Sequence, residues 1–573
     1  MGTLFSALEI GRAGMQVAQV QLDVTGHNIA NVNKDGFTRQ RVEVTTRLPN
    51  YKIYGALGRG PAISGVFRLR EAFLDTVYRQ EVSGLGNAEI QATYFSRLEN
   101  IFQEPGEDGF SSRLNSFFDS LNDFANNVEN LPVRVALLSE GGAVSGTLRD
   151  VAQRLRTLRT NANEEVKNTV PGINSLTGRI AELNDAIHDA EISGNPANDL
   201  RDDRDNLLDE LAGIVAISYN ERDNGIVDVL LGSDVLVNGD KARLLETVPD
   251  ASIDPDRPDL VRVQFVDNGA AATITDGELY GTLHARDVAM VDIEDKMDAI
   301  ARALIEGIND IHSQGNGLED YSGPASTTNA VTSDTVALNT AGLPFALEDG
   351  SFDVQVFDAT GALVETVTVP IVTTGPLAGQ TTLADVVTAI DGATNLSATY
   401  NSTTGTFEVT PGAGFSFNFA NDDAGALTGL GLNTFFTGDS ASTIGVNQAL
   451  VDNPALVSSG FSTDPLETGD NTAALLMAQV RDLDLLSGDT QTINAFFESV
   501  IVEVGIDART NLDSLSVQEA FVQDFEGRRQ EASGVSIDEE VTNLIQYQRA
   551  FEASARLISV ADRMLETLLN IVG

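Results

Sequence analysis

The chain has 573 residues, of which 84 are acidic, 36 are basic and 42% are hydrophobic, and its formal net charge is -48. This length and apolar content predict several folded domains. The strong acidity excludes the basic surface that nucleic acids and anionic membranes require, so we expect neither as a partner. The absence of cysteine excludes disulfides and thiolate metal sites.

The N-terminal sequence lacks the basic residues and the following apolar run of a Sec signal peptide. No apolar run approaches the length of about 18 residues that a transmembrane helix needs. If the protein is exported, the route must therefore work without a cleaved signal.

The first segment has the pattern of a helix with a heptad seam. Small and apolar residues recur at alternating steps of four and three. Amides such as Asn28 lie on the other faces, and residues 31–36 form a stop signal that includes Asn31 and Asn33. The seam consists of Leu4, Leu8, Gly11, Met15, Ala18, Leu22, Thr25 and Ile29.

The region from residue 71 to residue 218 has helical periodicity throughout, and it predicts long antiparallel helices with short connections. It includes a dense charge cluster between Asp199 and Glu210. An EF-hand needs alternating carboxylates, a central glycine and a terminal glutamate, and the cluster lacks this pattern. Alternating charges on a helix are typical of a solvated face with salt bridges, which is the interpretation we prefer.

Two later regions alternate like strands. Residues 226–274 contain short alternating runs separated by Asn-Gly turns, and helical periodicity returns from residue 279 to residue 312. Between residues 321 and 443, which we call the insert, basic residues vanish and Thr, Gly, Ala, Ser and Asn dominate. Turns at Thr360-Gly361 and Thr404-Gly405 predict hairpins, and Thr382–Ile390 predicts a short helix.

The last forty residues again predict an amphipathic helix, which follows Ser536 and Glu539 at capping-box spacing. Two hypotheses stay open for the terminal helices. They pair within one globular domain, or they form a coiled coil that packs against other subunits. The C-terminal seam consists of Val541, Leu544, Gln548, Phe551, Ala555, Ile558, Ala561, Leu565, Leu568 and Val572.

The predicted fold class is therefore a multidomain α+β fold with terminal coiled-coil helices, a long α-helical bundle rod domain and β-rich middle domains. The predicted domains are a terminal coiled-coil axial core domain (1–70 with 530–573), a helical rod domain (71–218 with 279–320 and 444–529), a β-rich domain (219–278) and the inserted β-rich exposed domain (321–443).

The sequence offers no catalytic constellation, so we expect no enzyme. His-Glu-x-x-His and Gly-x-Ser-x-Gly are absent, and no histidine lies near a plausible nucleophile. The glycines at 55, 58 and 60 lack the Lys-Ser/Thr pair of a phosphate-binding loop. We accordingly predict no catalytic, cofactor-binding or metal residues.

Four stretches carry a family resemblance. Residues 25–40, Thr-Gly-His-Asn-Ile-Ala-Asn-Val-Asn-Lys-Asp-Gly-Phe-Thr-Arg-Gln, resemble the signature of bacterial flagellar rod, hook and hook-associated proteins. The Gly-Phe-Thr-Arg-Gln step, the segment that starts at Asn198 and the helical segment 117–124 resemble the branch that joins the hook to the filament. Residues 533–551 resemble the C-terminal motif of the same axial family.

This resemblance implies a secreted, extracellular structural component of the flagellum at the hook–filament junction, which serves cell motility. Such proteins leave the cell unfolded through type III export, and their disordered termini fold into a coiled coil on assembly. The implied partners are other copies in a helical assembly, the hook protein, a second junction protein and a dedicated export chaperone on the C-terminal helix.

The assembly interface that follows comprises both terminal seams and three amides. It consists of Leu4, Leu8, Met15, Ala18, Leu22, Asn28, Ile29, Asn31, Asn33, Val541, Leu544, Phe551, Ile558, Leu565 and Leu568. Two alternatives stay open: another rod or hook structural protein, or a junction protein whose insert is a surface adhesin.

Overall fold

The computed structural model describes residues 2–53, 55–102, 106, 109–192, 194–462, 467 and 469–572, with side chains from residue 5 to residue 567 within those ranges. The chain forms two compact units. Unit 1 comprises Met1–Tyr94, Thr160–Asp287 and Arg509–Gly573, and unit 2 comprises Phe95–Arg159 and Val288–Ala508. The four-part division predicted from the sequence is finer and stays a prediction.

Helices dominate the part of the chain that the structure describes. They are α1 (Gly2–Ala30), α2 (Ala72–Phe102), α3 (Phe110–Asn126), α4 (Leu131–Glu191), α5 (Asn198–Ile214), α6 (Glu278–His284), α7 (Met290–His312), α8 (Leu383–Asp391), α9 (Ala426–Leu430), α10 (Gln448–Asp452), α11 (Thr472–Gln479), α12 (Ile493–Ser533) and α13 (Ile537–Val572). A π-helical turn, Ala285–Ala289, joins α6 to α7.

The strands form several small antiparallel sheets. In unit 1 they are β1 (Gln40–Thr46), β2 (Asn50–Lys52), β3 (Gly55–Leu57), β4 (Pro61–Arg68), β5 (Ile217–Glu221), β6 (Val227–Leu231), β7 (Asp234–Asn238), β8 (Lys241–Ala242), β9 (Leu245–Pro249) and β10 (Val261–Phe265). In unit 2 they are β11 (Ala325–Ser326), β12 (Gly350–Phe357), β13 (Leu363–Ile371), β14 (Leu396–Asn401), β15 (Thr406–Pro411), β16 (Ser416–Ala420), β17 (Phe436–Thr437) and β18 (Gly445–Val446).

The middle of unit 1 packs strands against helices α4 and α5. The sheet has the order β5-β6-β7-β8, and along β6 the side chains of Val227, Val229 and Leu231 are buried in alternation. These residues share one core with Ile173 of α4 and Leu208 of α5. The alternation predicted for this region is confirmed, because a strand with one covered face needs an apolar residue at every second position.

The insert in unit 2 builds its own core. Its two sheets have the orders β13-β12-β16 and β11-β15-β14. Both predicted hairpins are present, with Gly361 and Gly405 at positive φ angles of 79° and 71° in their turns. The predicted helix is α8, and Thr382 and Asp385 close a capping box at its start. With helices at both ends and strands in the middle, the predicted α+β fold class is confirmed.

The interpretation of the charge cluster on α5 as a solvated face is wrong. Asp202 is 1% exposed and Asp205 is 8% exposed. Both form ion pairs with Arg68, which comes from the end of β4. The sequence pattern of alternating charges on a helix is the same for a face exposed to water and for a face buried against arginines of another segment. The pattern alone therefore does not distinguish the two cases.

None of the helices described has the length and apolarity needed to cross a membrane. Within the same part of the chain, no group of three or more His, Asp or Glu side chains is arranged to hold a metal ion.

Candidate assembly interface

The helices α1 and α13 lie against each other in antiparallel orientation. Gly11 faces Ile558, Gly14 faces Ser554, and Asn28 faces Glu540, so the numbers rise along one helix as they fall along the other. A Cβ atom at Gly11 would lie 2.8 Å from the Ile558 side chain and 3.3 Å from the Ser554 carbonyl oxygen. The glycine in the seam therefore lets the two backbones approach closely.

The predicted seam of α1 alternates between fully and partly buried residues. Its small residues Gly11, Ala18 and Thr25 are buried. The larger residues Leu8, Met15, Leu22 and Ile29 are half-buried. The sequence reasoning missed two buried residues, Ala13 and Val17, which are one turn apart. Their burial reflects a second contact, because α1 also packs against β1 and β4. The i, i+4 spacing of Ala13 and Val17 places them on one face of α1, but it does not show which segment covers that face.

The seam of α13 follows the prediction in part, because Ala561 is buried whereas Gln548 is exposed. Leu544, Phe551, Ile558 and Leu565 are half-buried, whereas Val541 is 44% exposed and lies outside the seam. Its neighbour Glu540 takes the buried position instead. Leu4 and Leu568 lie outside the residues whose side chains the structure describes.

Buried polar contacts connect α1 to α13 at the end of the pair where α1 finishes and α13 begins, which we call the base of the helix pair. Asn28 Nδ2 donates to Glu540 Oε2 (3.2 Å) and to the Gln40 carbonyl oxygen (3.0 Å), and Asn28 Oδ1 accepts from the Gln40 N–H (3.0 Å). Arg39 forms ion pairs with Glu539 (2.7 Å) and Glu540 (2.6 Å). Burial lowers the pKa of Arg39, but the two glutamates raise it above its ordinary value. Arg39 was named in the sequence motif, but its role was not predicted.

The two other predicted amides have different environments. Asn31 is half-buried, and its side chain donates to the His27 carbonyl oxygen (3.0 Å). It therefore closes the last turn of α1, as a C-terminal polar residue can. Asn33 is exposed. Of the three amides, Asn28 alone connects α1 to α13 among the described contacts.

Six further apolar residues of α13 are exposed, in two short runs. They recur at steps of four from Ile537 to Ile545 and at steps of three and four from Leu557 to Met564, and twelve positions separate the two runs. We call the two runs together the outer stripe. The outer stripe consists of Ile537 (52% exposed), Val541 (44%), Ile545 (46%), Leu557 (41%), Val560 (45%) and Met564 (54%).

Three family models match the chain. The model described as the flagellar hook-associated protein FlgK helical domain matches residues 95–325. The model described as the flagellar basal body rod FlgEFG protein C-terminal matches residues 527–571, and the model described as flagella basal body rod protein matches residues 8–38. The last two matches therefore fall largely on α13 and α1.

Known proteins match over almost the whole chain. The flagellar hook-associated protein 1 of Bacillus subtilis (strain 168) is 26% identical over 605 residues, which cover 100% of this chain and 99% of the relative. The protein of the same name from Salmonella typhimurium is 27% identical over 583 residues, which cover 99% of this chain and 100% of the relative.

A solved structure has a similar fold. The flagellar hook junction protein FlgK from Burkholderia pseudomallei matches with a TM-score of 0.51 at 17% sequence identity, over 80% of this chain and 100% of that chain. At this identity the likeness concerns the fold alone.

Proposed function

The chain belongs to the family of flagellar hook-associated protein 1, and from that premise we propose that it builds the hook–filament junction by self-assembly through its paired terminal helices. It is a structural component of the flagellum. We propose no catalytic role and no cofactor for it.

The observation that supports self-assembly is the outer stripe of α13. The seam of α13 packs on α1, whereas both runs of the outer stripe are exposed in the single chain. Burying apolar surface contributes about 25 cal/mol per Å². A neighbouring copy that covers the outer stripe would gain this free energy. Repeated contacts between unlike surfaces of identical copies produce a helical array.

The exposed apolar residues of the outer stripe also support the partners that we propose. Within the assembly, we propose contacts to copies of this chain, to the hook protein on one side and to a second junction protein on the other. Before assembly, an exposed apolar helix invites nonspecific association. We propose that a dedicated export chaperone covers α13 until the chain leaves through type III export.

Deletion of the gene tests the proposed role directly. We expect cells that carry hooks without filaments and that release filament subunits into the medium, as judged by electron microscopy. Loss of the hooks would move the protein to the hook or rod. Normal filaments would overturn the proposed role.

A second experiment tests the outer stripe. Because Val560 and Met564 are exposed, Val560→Asp with Met564→Asp should leave the free subunit folded. We expect this double variant to fail to restore filaments in the deletion strain. Leu377→Asp is the control, since it changes an exposed leucine (64%) of the insert and should restore filaments. Normal filaments with the double variant would exclude the outer stripe as an assembly surface.

A further inference from the structure

Unit 1 contains a cluster of buried ion pairs that the proposed self-assembly does not use. Four aspartates and four arginines contact one another in it, so its formal charges balance. No side chain in the cluster is more than 17% exposed. We call it the α5 network; it consists of Asp75, Asp202, Asp205, Asp209, Arg68, Arg70, Arg79 and Arg529.

Asp205 is the hub of the α5 network. Its carboxylate lies 2.8 Å from Arg68 Nη1, 2.7 Å from Arg70 Nη1 and 3.4 Å from Arg79 Nη2. Burial alone would raise the pKa of Asp205, but the charges of the arginines lower it far below its ordinary value. The carboxylate is therefore ionised at neutral pH.

The flanking aspartates extend this face of α5 by one turn in each direction. Asp202 contacts Arg68 (2.6 Å), and its other oxygen accepts from the Thr38 N–H (3.0 Å). Asp209 contacts Arg79 (2.6 Å) and Arg529 (2.9 Å). Residues three and four apart share one helix face, so three carboxylates point the same way.

The arms of the α5 network come from segments far apart in the sequence. Thr38 follows α1, Arg68 ends β4, and Arg529 lies near the end of α12, just before α13. Arg529 also stacks over the Tyr78 ring at 4.2 Å. Gly36 approaches α5 so closely, at a φ of 70°, that a Cβ atom would overlap the Asn206 side chain. One face of α5 thus contacts both the segment that follows α1 and the end of α12, which precedes α13.

A buried ion-pair cluster is a poor source of net stability, because the desolvation of the charges offsets their attraction. Misplacing one arm is strongly destabilising, however, because it leaves a buried charge without a partner. An apolar patch at this place carries no such cost when the connecting segments slide.

We propose that the carboxylates Asp202, Asp205 and Asp209 of α5 form an electrostatic latch, which orders the segments 34–40 and 526–536 in the free subunit and so positions the terminal helix pair for assembly. The second half of this statement rests on the proposed function; the first half does not.

The ion pairs of the α5 network form within one chain, so the latch does not need a neighbour. The outer stripe of α13 is the opposite case, since its apolar side chains are exposed in the single chain. The latch therefore marks the boundary between the part that is ordered before assembly and the part that assembly completes.

Amide hydrogen exchange of the full-length free subunit tests the latch. In the unmodified protein, we expect protection of segments 34–40 and 526–536. In Asp205→Asn, we expect exchange there to rise at least about tenfold while the insert is unchanged, because exchange reports local opening. Asp203→Asn is the matched control on the same helix; its carboxylate is 48% exposed, and it contacts Lys34 alone among the ion pairs described. It should change exchange less than about threefold.

A second variant keeps the proposal testable if Asp205→Asn does not fold. Arg529→Met removes the C-terminal arm only, so exchange should rise mainly in segment 526–536 and much less in segment 34–40. Uniform exchange increases across unit 1 would indicate a general loss of stability and would overturn the latch. Unprotected segments in the unmodified free subunit would overturn it as well.

Filament counts in the deletion strain test the positioning step. Asp205→Asn should support at least about fivefold fewer filaments than Asp203→Asn, because misplaced helix pairs reduce the assembly-competent fraction. Equal counts together with increased exchange would overturn the positioning step and leave the proposed junction role intact. Failure of the gene deletion to affect filaments would instead remove the proposed function and leave the exchange result standing.

Discussion

The insert and the base of the terminal helix pair satisfy their polar groups in opposite ways. Between Arg302 and Arg481 the sequence contains no lysine or arginine. Carboxylates of the insert therefore bind hydroxyls and backbone N–H groups, as Asp358 does with Thr360 (2.6 Å to its Oγ1) and Asp385 with Thr382. At the base of the helix pair, carboxylates bind arginines across long sequence separations, as Glu540 does with Arg39.

This difference separates a part that folds from local signals from a part that depends on long-range charge matching. A side chain that caps its own turn needs no other segment to arrive. An arginine that is buried with its carboxylate needs the right partner, and a wrong partner is costly. The insert is therefore expected to respond to changes in packing, and the base of the pair to changes in charge or backbone spacing.

The largest effect is expected in the insert core. Phe417 is fully buried and stacks on Tyr321 with ring centroids 5.5 Å apart. Phe417→Ala should lower the free energy of opening of the insert by about 3–5 kcal/mol, because it removes apolar contacts and leaves a cavity. Native-state hydrogen exchange measures this change. Leu377→Ala, at a 64% exposed position, is the control and should cost less than about 0.5 kcal/mol.

A destabilisation that spreads from Phe417→Ala into segment 34–40 would contradict the comparison. It would mean that the insert and the base of the helix pair open together rather than as separate cooperative regions.

A smaller effect is expected from pH at the end of α7. His312 is fully buried, its Nε2 accepts from the Ser458 N–H (3.0 Å), and its Nδ1 therefore donates to the Asn433 carbonyl oxygen (2.8 Å). Burial, the largest cause, and the charge of Arg134 lower the pKa of His312 to about 4, although the hydrogen bond to Asn433 opposes this.

A histidine with a lowered pKa stabilises the fold fully above its unfolded pKa of about 6.5. This stability is lost as the pH falls through the folded value, and it amounts to about 3 kcal/mol for a shift of this size. The difference in unfolding free energy between the unmodified protein and His312→Asn, measured from pH 8 to pH 4, should therefore shrink toward low pH. A difference that is constant with pH would exclude His312 as the titrating group.

Local patterns made the insert predictable. The turns at Gly361 and Gly405 and the cap at Thr382 are encoded within a few residues, and the structure has each of them. The positions of the terminal helices were equally plain, because a heptad seam is visible in the sequence alone.

Long-range contacts could not be predicted in the same way. Ala13 and Val17 are buried because β1 and β4 cover a second face of α1. The sequence of the helix does not indicate that these strands pack against it. The burial of Asp202 depends on Arg68, which is 134 positions away. Both cases require knowing which segments meet, and periodicity does not contain that information.

A smaller effect than that of pH is expected from backbone spacing in the helix pair. Gly11→Ala places a Cβ atom 2.8 Å from the Ile558 side chain and 3.3 Å from the Ser554 carbonyl oxygen. Overpacking of this kind costs about 1–3 kcal/mol. Gly26→Ala is the matched control on α1, where a Cβ atom has no neighbour within 4 Å. It should stabilise by about 0.5–1 kcal/mol through helix propensity.

Amide hydrogen exchange along α1 and α13 measures how each glycine substitution changes the stability of the helix pair. Equal effects of the two substitutions would show that the close approach at Gly11 is not needed for pairing. It would also weaken the view that backbone spacing governs this region.

The smallest effect is expected at the cap of α8. Thr382 Oγ1 accepts from the Asp385 N–H (3.2 Å), and the Asp385 carboxylate accepts from the Thr382 N–H (2.9 Å). Thr382→Ala removes one half of this capping box and should cost about 1 kcal/mol. Thr388→Ala, an exposed change on the same helix, is the matched control and should cost less than about 0.5 kcal/mol.

If local caps stabilise the insert as argued, faster exchange in Thr382→Ala should be confined to α8 and its neighbours in the insert. Equal exchange in the two threonine variants would mean that packing of Val386 and Ile390 alone holds α8 in place.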